Sequence, residues 1–121
     1  LYAVLRKSWS SSTAYKSCQS EWVSEDPSYG QCAITATLVY DMFGGSIHRI
    51  RVEGGGTHYF NKITGQYVDL AREQFDLYNI EVAYEPNETM QREYCCKNSD
   101  TNARYRQLQR NIIAYLKNNE D

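Results

Sequence analysis

One cysteine of this sequence lies where a nucleophile would be expected. Cys32 ends the run YGQC at residues 29–32 and opens a segment, reaching Phe43, in which Asp41 is the only strongly polar residue. The pattern predicts a buried helix over about Gln31–Phe43, ended by Gly44-Gly45. Unpaired N–H groups in the first turn of a helix favour a thiolate. We therefore predict that Cys32 is a nucleophile; the alternative is an inert buried cysteine, which is common in proteins.

A general base for Cys32 would come from one of two histidines. The strand predicted from Thr57 to Lys62 carries His58, and a turn at Thr64-Gly65 leads into a strand that carries Asp69. A tight two-residue turn would place His58 and Asp69 on one face as diagonal neighbours, within reach of an imidazole and a carboxylate. The other histidine, His48, has the same parity as its apolar neighbours and is interpreted as a satisfied histidine at the edge of the core.

These three side chains would have distinct chemical roles. His58 would take the proton of Cys32, and Asp69 would hold the imidazole in one tautomer. The oxyanion formed on attack needs hydrogen-bond donors already in place. The backbone N–H of Cys32 is one candidate, and the side chains of the preceding segment supply the others: Gln19, Trp22 and Gln31.

Each of these residues also has a simpler interpretation when taken alone. His58 would be a polar strand residue, Asp69 an exposed carboxylate at a strand end, and Trp22 a loop anchor. The adjacent pair Cys95-Cys96 is interpreted as packing. The three arginines at positions 104, 106 and 110 are interpreted as a solvated helix face.

Length and composition predict a single soluble domain over residues 1–121. The chain has 121 residues, 41% of them hydrophobic, and a formal net charge of −2, which argues against a nucleic-acid partner. No apolar run is long enough to cross a membrane. Four cysteines, two of them adjacent, fit reduced thiols better than a disulfide scaffold, so we expect a cytoplasmic protein. The oligomeric state is left open.

The remaining pattern predicts an α+β fold. A short helix opens the chain and ends near Trp9, and alternating residues predict strands over Ser46–Glu53, Thr57–Lys62 and Gln66–Leu70. A short helix or turn is predicted over Ala71–Leu77, and a further strand over Asn79–Tyr84. The chain is predicted to be helical again from Thr101, with the buried helix packed on a small antiparallel sheet.

The motifs resemble those of known families. The run at residues 29–32 resembles the nucleophile motif of animal-type transglutaminases, and residues 58–61 and 67–69 are similar to the segments that carry their histidine and aspartate. The same architecture serves the wider papain-like superfamily. Residues 29–75 also look like the small bacterial YunG-like family. The interval from Cys32 to His58 is shorter than in transglutaminases, and Ala33 replaces the aromatic residue that follows their cysteine, so the likeness supports the triad more than cross-linking.

The resemblance implies thiol-dependent acyl chemistry on an amide, by a peptidase, amidase, deamidase or acyltransferase without a cofactor. The substrate would be a peptide or a small amide. A second hypothesis is a binding module that keeps the fold without turnover. A third is a zinc site built from Cys32, His58 and Asp69, with His48 as a further ligand, although the spacing has no metal-binding pattern.

Overall fold

The chain is helical at both ends and forms a small antiparallel sheet in its middle. The structure, a computed structural model, describes residues 1–52, 56–95 and 97–119. The α-helices are, in chain order, α1 Tyr2–Ser8, α2 Cys32–Phe43, α3 Glu73–Asp76, α4 Arg92–Cys95 and α5 Ser99–Asn118. The strands are β1 Ser46–Val52, β2 Gly56–Ile63, β3 Gln66–Val68 and β4 Glu88–Met90. The predicted α+β class is confirmed.

The sheet has the strand order β3-β2-β1-β4, with each neighbouring pair antiparallel. Thr64 and Gly65 both have positive φ, 52° and 78°, which is the signature of a two-residue hairpin turn. The turn sets Asn61 opposite Val68, and this is the register predicted from the sequence. Because β3 ends at Val68, it pairs only with residues 61–63 of β2.

Helix α2 packs against one face of the sheet. Ala36 and Ile47 of β1 belong to the same buried apolar cluster. The Asn61 side chain of β2 donates a hydrogen bond to the Ala36 carbonyl at 2.9 Å. On its other side, α2 contributes Ile34 and Leu38 to a core shared with α1 and α5. The middle of the predicted buried helix is therefore buried, whereas its last turn, Asp41–Phe43, is exposed.

The segment after β3 covers the opposite face of the sheet. Phe60 of β2 packs there against Phe75 of α3, and the side chains of Ile80, Val82 and Tyr84 complete the cluster. The predicted strand over Asn79–Tyr84 is wrong: these residues form no strand, and the fourth strand is Glu88–Met90. The alternating side chains of Ile80, Val82 and Tyr84 are partly buried, but the segment pairs with no strand, because strand pairing depends on long-range contacts that a local pattern does not encode.

Helix α5 corrects a second prediction. Arg106 and Arg110 are exposed, as expected of a solvated face, but Arg104 is buried, with 4% of its surface exposed. Its guanidinium donates to the carbonyl of Thr13 at 3.1 Å and so ties α5 to the N-terminal part of the chain. Among the described helices, none combines the length and the apolar character needed to cross a membrane.

Candidate functional site

Cys32 is the first residue of α2, as predicted, and its position depends on the glycine two residues earlier. Gly30 has φ +75°, and a Cβ there would lie 2.9 Å from the Cβ of Cys18. The Gly30 carbonyl accepts a hydrogen bond from Tyr15 at 2.8 Å. Only glycine fits this combination of positive φ and close approach. The YGQC run therefore directs the chain into the helix so that the half-buried Cys32 lies at its start.

His58 and Asp69 contact each other directly. Nε2 of His58 lies 2.7 Å from Oδ2 of Asp69, and the exposed fractions of their side chains are 0% and 5%. Asp69 follows the last residue of β3, so the two-residue turn brings it beside His58 across the hairpin. The predicted juxtaposition of the two side chains is confirmed, and Asp69 is not the exposed carboxylate of the simpler interpretation.

The charge state of His58 is set by competing effects. Burial against the ring of Phe75, whose centroid is 4.7 Å away, disfavours the imidazolium. Hydrogen bonding to Asp69 and the contact with Cys32 outweigh that penalty and raise the pKa of His58 to about 9. The imidazole is therefore charged near neutral pH, because its carboxylate partner is buried with it.

The thiol of Cys32 responds to the same charge. Burial raises the pKa of Cys32, but the contact with His58 outweighs this effect, and the resulting pKa lies below the usual value for a thiol. The backbone N–H of Tyr59 also lowers it. The carbonyl of Thr57 is 3.9 Å from Sγ. These backbone groups can face Cys32 because β3 ends before reaching this part of β2. The short strand therefore opens a sheet edge to the thiol.

Tyr84 is a further member of this cluster that sequence reasoning did not identify. Its hydroxyl donates to Oδ2 of Asp69 at 2.8 Å, the same oxygen that contacts His58. The alternation of Ile80, Val82 and Tyr84 was the available signal, since it indicated that Tyr84 lies on the buried side of its segment. Within the described part of the chain, Nδ1 of His58 forms no hydrogen bond. This nitrogen, on the side of the ring away from Asp69, is therefore available to exchange a proton.

Cys32 and His58 line a cleft of about 680 Å³. One wall comes from the segment around Tyr15 and Cys18, and another from Gln74 and Phe75 at α3. The volume is in the range of sites that hold small molecules or a few residues of a peptide. The cleft therefore gives a substrate access to the sulfur.

The side chains suggested as additional oxyanion donors do not line this cleft. The indole N–H of Trp22 donates to the carbonyl of Pro27 at 3.0 Å, as expected of a loop anchor. The amide of Gln19 donates to the carbonyl of Ala14 at 3.2 Å. Gln31 is fully buried and binds Thr13 and the carbonyl of Ser10. These three residues support the segment before α2, and each donates a side-chain hydrogen bond to a backbone carbonyl there.

His48 lies away from Cys32 and is satisfied by its own neighbours. Its ring nitrogens contact Ser46 Oγ at 2.7 Å and Asn87 Oδ1 at 2.9 Å, and the side chain is buried, as predicted. Within residues 1–52, 56–95 and 97–119, no group of three or more His, Cys, Asp or Glu side chains is arranged to hold a metal ion. Of the predicted cysteine pair, Cys95 packs against Ala36 and Ile47, while Cys96 lies outside the described residues.

Comparison with known proteins identifies a family for this chain. Residues 1–117 match the family described as YunG protein. The chain belongs to the YunG family. It is 40% identical over 72 residues to the uncharacterized protein YunG of Bacillus subtilis (strain 168), and the match covers 60% of this chain and 57% of that relative. No solved structure matches the chain. The family match over residues 1–117 includes all the residues named above as lining the cleft of this chain.

Proposed function

We propose that this protein carries out thiol-dependent acyl chemistry on an amide, with Cys32 as nucleophile, His58 as proton carrier and Asp69 as the group that orients His58. One observation carries the proposal. A thiol of lowered pKa lies beside an imidazole whose other nitrogen is 2.7 Å from a buried carboxylate, at an accessible cleft. The arrangement fits an activated nucleophile, because the base is itself oriented by a third group.

The proposed reaction proceeds in two halves. The Cys32 thiolate attacks the amide carbon, the tetrahedral intermediate collapses with loss of the amine, and the proton on His58 goes to the departing nitrogen. Water or a second amine then attacks the thioester carbon and gives a proton to His58, and the Cys32 thiolate leaves. The product is a carboxylic acid or a new amide, and the protein regains its starting state.

The oxyanion would be stabilised mainly by the backbone. The N–H of Cys32 lies in the first turn of α2, where such groups have no partner within the helix. Gln19, Trp22 and Gln31 are engaged elsewhere, so a second donor would have to come from another part of the cleft or from the substrate. This incomplete set of donors is what favours the second candidate, a binding module of the same fold that lacks turnover.

Motif likeness supports the acyl chemistry but not a particular reaction. The segments around Cys32, His58 and Asp69 resemble those of transglutaminases and the wider papain-like enzymes in order and in placement on one helix and two adjacent strands. The short interval between cysteine and histidine favours a smaller relative of those enzymes. Hydrolysis and transfer both remain within the proposal, and a cytoplasmic location is part of it.

The first experiment measures the rate at which iodoacetamide alkylates Cys32 as a function of pH, with peptide mapping by mass spectrometry to separate Cys32 from the other cysteines. We expect Cys32 to react faster near pH 7 than a free model thiol, and His58→Ala to move the inflection to higher pH. His48→Ala is the matched control and should leave the profile unchanged. A wild-type rate equal to that of the model thiol, unaffected by His58→Ala, would contradict the nucleophile role.

The second experiment separates the two candidate functions. A library of peptidyl amides is incubated with the wild-type protein and with Cys32→Ala, and release of ammonia or amine is followed. Turnover in the wild type alone supports the enzyme. Rapid labelling of Cys32 without turnover of any library member favours the binding module.

A further inference from the structure

The charged residues that line the cleft are basic, although the chain as a whole has a slightly negative charge. The lining includes Arg49, Lys97 and Arg104, and no carboxylate among the described residues. The chain as a whole carries 13 basic and 15 acidic residues and a formal charge of −2. The charge of the residues that line the cleft is therefore opposite in sign to the net charge of the chain.

Lys97 is the most available of these cations. It lies between α4 and α5, its side chain is exposed, and its ammonium group is 4.9 Å from the centroid of the Tyr94 ring. None of the described carboxylates is within ion-pair distance of Lys97. An ammonium held only by an aromatic face can turn towards an anion at little cost.

Arg104 supplies a fixed positive charge deeper in the cleft. Its side chain is 5% exposed and is held by the carbonyl of Thr13 and the hydroxyl of Thr101. Its carboxylate partner, Asp100, lies at 3.2 Å but is 48% exposed, so solvent weakens its compensation of the guanidinium. A cation with these contacts cannot move away from the cleft.

Arg49 contributes less positive charge than Lys97, because an acidic partner contacts it. Its Nε pairs with Glu88 at 2.7 Å, and a second nitrogen donates to the hydroxyl of Tyr94 at 3.3 Å. Glu88 is outside the lining and 62% exposed, so solvent weakens its compensation of Arg49, as it does for Asp100 and Arg104. Lys97 has no such partner among the described carboxylates, so the positive character of the cleft rests first on Lys97.

We propose that the cleft selects acyl substrates that carry a carboxylate near the amide attacked by Cys32, as in a peptide with an acidic side chain beside that amide. This inference rests on the proposed function and names its substrate class. A carboxylate suits the site better than a phosphate group, because the guanidinium donors are largely used by protein partners and one free ammonium remains. The neighbouring tyrosines, Tyr15 and Tyr94, would pack against the apolar part of such a substrate.

The test compares two alkylating probes that differ in charge. Iodoacetate carries a carboxylate and iodoacetamide is neutral, and both form the same bond to sulfur with loss of iodide. The measured quantity is the ratio of their rates at Cys32, located by peptide mapping and divided by the same ratio for N-acetylcysteine amide. We expect this normalised ratio to exceed one in the wild type and to fall roughly threefold to tenfold in Lys97→Glu at low salt.

Two further variants test whether the change in the rate ratio comes from the charge at Lys97. Lys97→Met removes one charge unit rather than two and should give a smaller fall, which excludes a general effect of an added carboxylate. Lys117→Glu makes the same charge reversal on the exposed last turn of α5 and should leave the ratio unchanged. Succinate and inorganic phosphate are then compared as protecting anions at equal ionic strength, and stronger protection by phosphate would overturn the choice of a carboxylate.

The two proposals fail in different ways. If iodoacetamide reacts with Cys32 no faster than with the model thiol, the nucleophile role fails, and this inference about its substrates fails with it. If iodoacetamide reacts rapidly but the normalised ratio is one and is insensitive to Lys97→Glu, the nucleophile role stands and the carboxylate preference is overturned.

Discussion

The hydroxyl of Tyr84 donates a hydrogen bond to Asp69 at 2.8 Å, on the same carboxylate oxygen that contacts His58. The two residues are separated by the α3 segment, which folds back over the sheet and brings Tyr84 beside the hairpin. Burial and the neighbouring carboxylate both raise the pKa of Tyr84, so the hydroxyl stays protonated and remains a donor. Oδ2 of Asp69 therefore contacts both side chains, and the hydrogen bond from Tyr84 helps to fix the carboxylate beside His58.

Tyr84→Phe should destabilise the fold, because the buried carboxylate of Asp69 loses a donor. We expect the free energy of unfolding, measured by urea denaturation, to fall by about 1–3 kcal/mol. Tyr78→Phe is the matched control, since Tyr78 is 64% exposed, and it should change stability by less than about 0.5 kcal/mol. Equal stability of the two variants would mean that the contact between Tyr84 and Asp69 contributes nothing to the fold.

Asp69→Asn should lower the pKa of His58. Two effects raise that pKa to about 9, hydrogen bonding to Asp69 and the contact with Cys32, while burial acts in the other direction. Without the carboxylate, the effect of burial has more weight, and we expect a folded protein in which the pKa of His58 lies below the wild-type value. NMR titration of the imidazole Cε1 proton measures this directly, with His48 as the second histidine resonance. An unchanged His58 titration would show that Asp69 does not set its charge.

The contact between His58 and Asp69 should also make stability depend on pH. A group whose pKa is raised on folding stabilises the protein fully below its unfolded pKa, near 6.5, and this contribution is lost as pH rises through the folded value, about 9. The coupled thiol is removed with Cys32→Ala, in which Asp69 still raises the pKa of His58. In that background the folded pKa of His58 lies below about 9, because the contribution of Cys32 is lost, and the difference in unfolding free energy between His58 and His58→Gln proteins should shrink as pH rises above 6.5 through that lower value. A difference that grows over this interval would contradict the sign.

Local pattern was sufficient for the parts of the site that depend on short-range rules. The turn at Thr64-Gly65 fixes the register of β2 and β3, and that register alone predicts that His58 and Asp69 meet. The apolar run after Cys32 and the glycine pair that ends it likewise predict the extent of α2, because both are local signals. The partners that were predicted correctly are close in sequence or lie on one regular element.

The contacts that sequence did not predict join residues far apart in the chain. Arg104 is in a helix pattern typical of a solvated face, yet its guanidinium reaches Thr13, more than ninety residues earlier. Trp22 and Gln19 have side chains suited to an oxyanion site, but Gln19 lies in the 3₁₀ helix Lys16–Glu21 and Trp22 directly follows it, and both side chains donate to nearby carbonyls. No periodicity encodes where a loop donor points, and a long-range partner appears only when the elements are packed together.

Gly30→Ala should disturb the start of α2 and slow the alkylation of Cys32. The variant places a side chain at φ +75°, which costs about 1–3 kcal/mol, and its Cβ would lie 2.9 Å from the Cβ of Cys18 and 3.1 Å from the Tyr15 nitrogen. Gly44→Ala is the matched control, because it has φ +76° with open space around the new Cβ, after the far end of α2. Both variants should lose stability in urea, and Gly30→Ala should lose more. Only Gly30→Ala should lower the rate of Cys32 alkylation by iodoacetamide in the folded protein, because only that glycine lies beside the end of α2 that carries the thiol; equal rates in both variants would contradict this role.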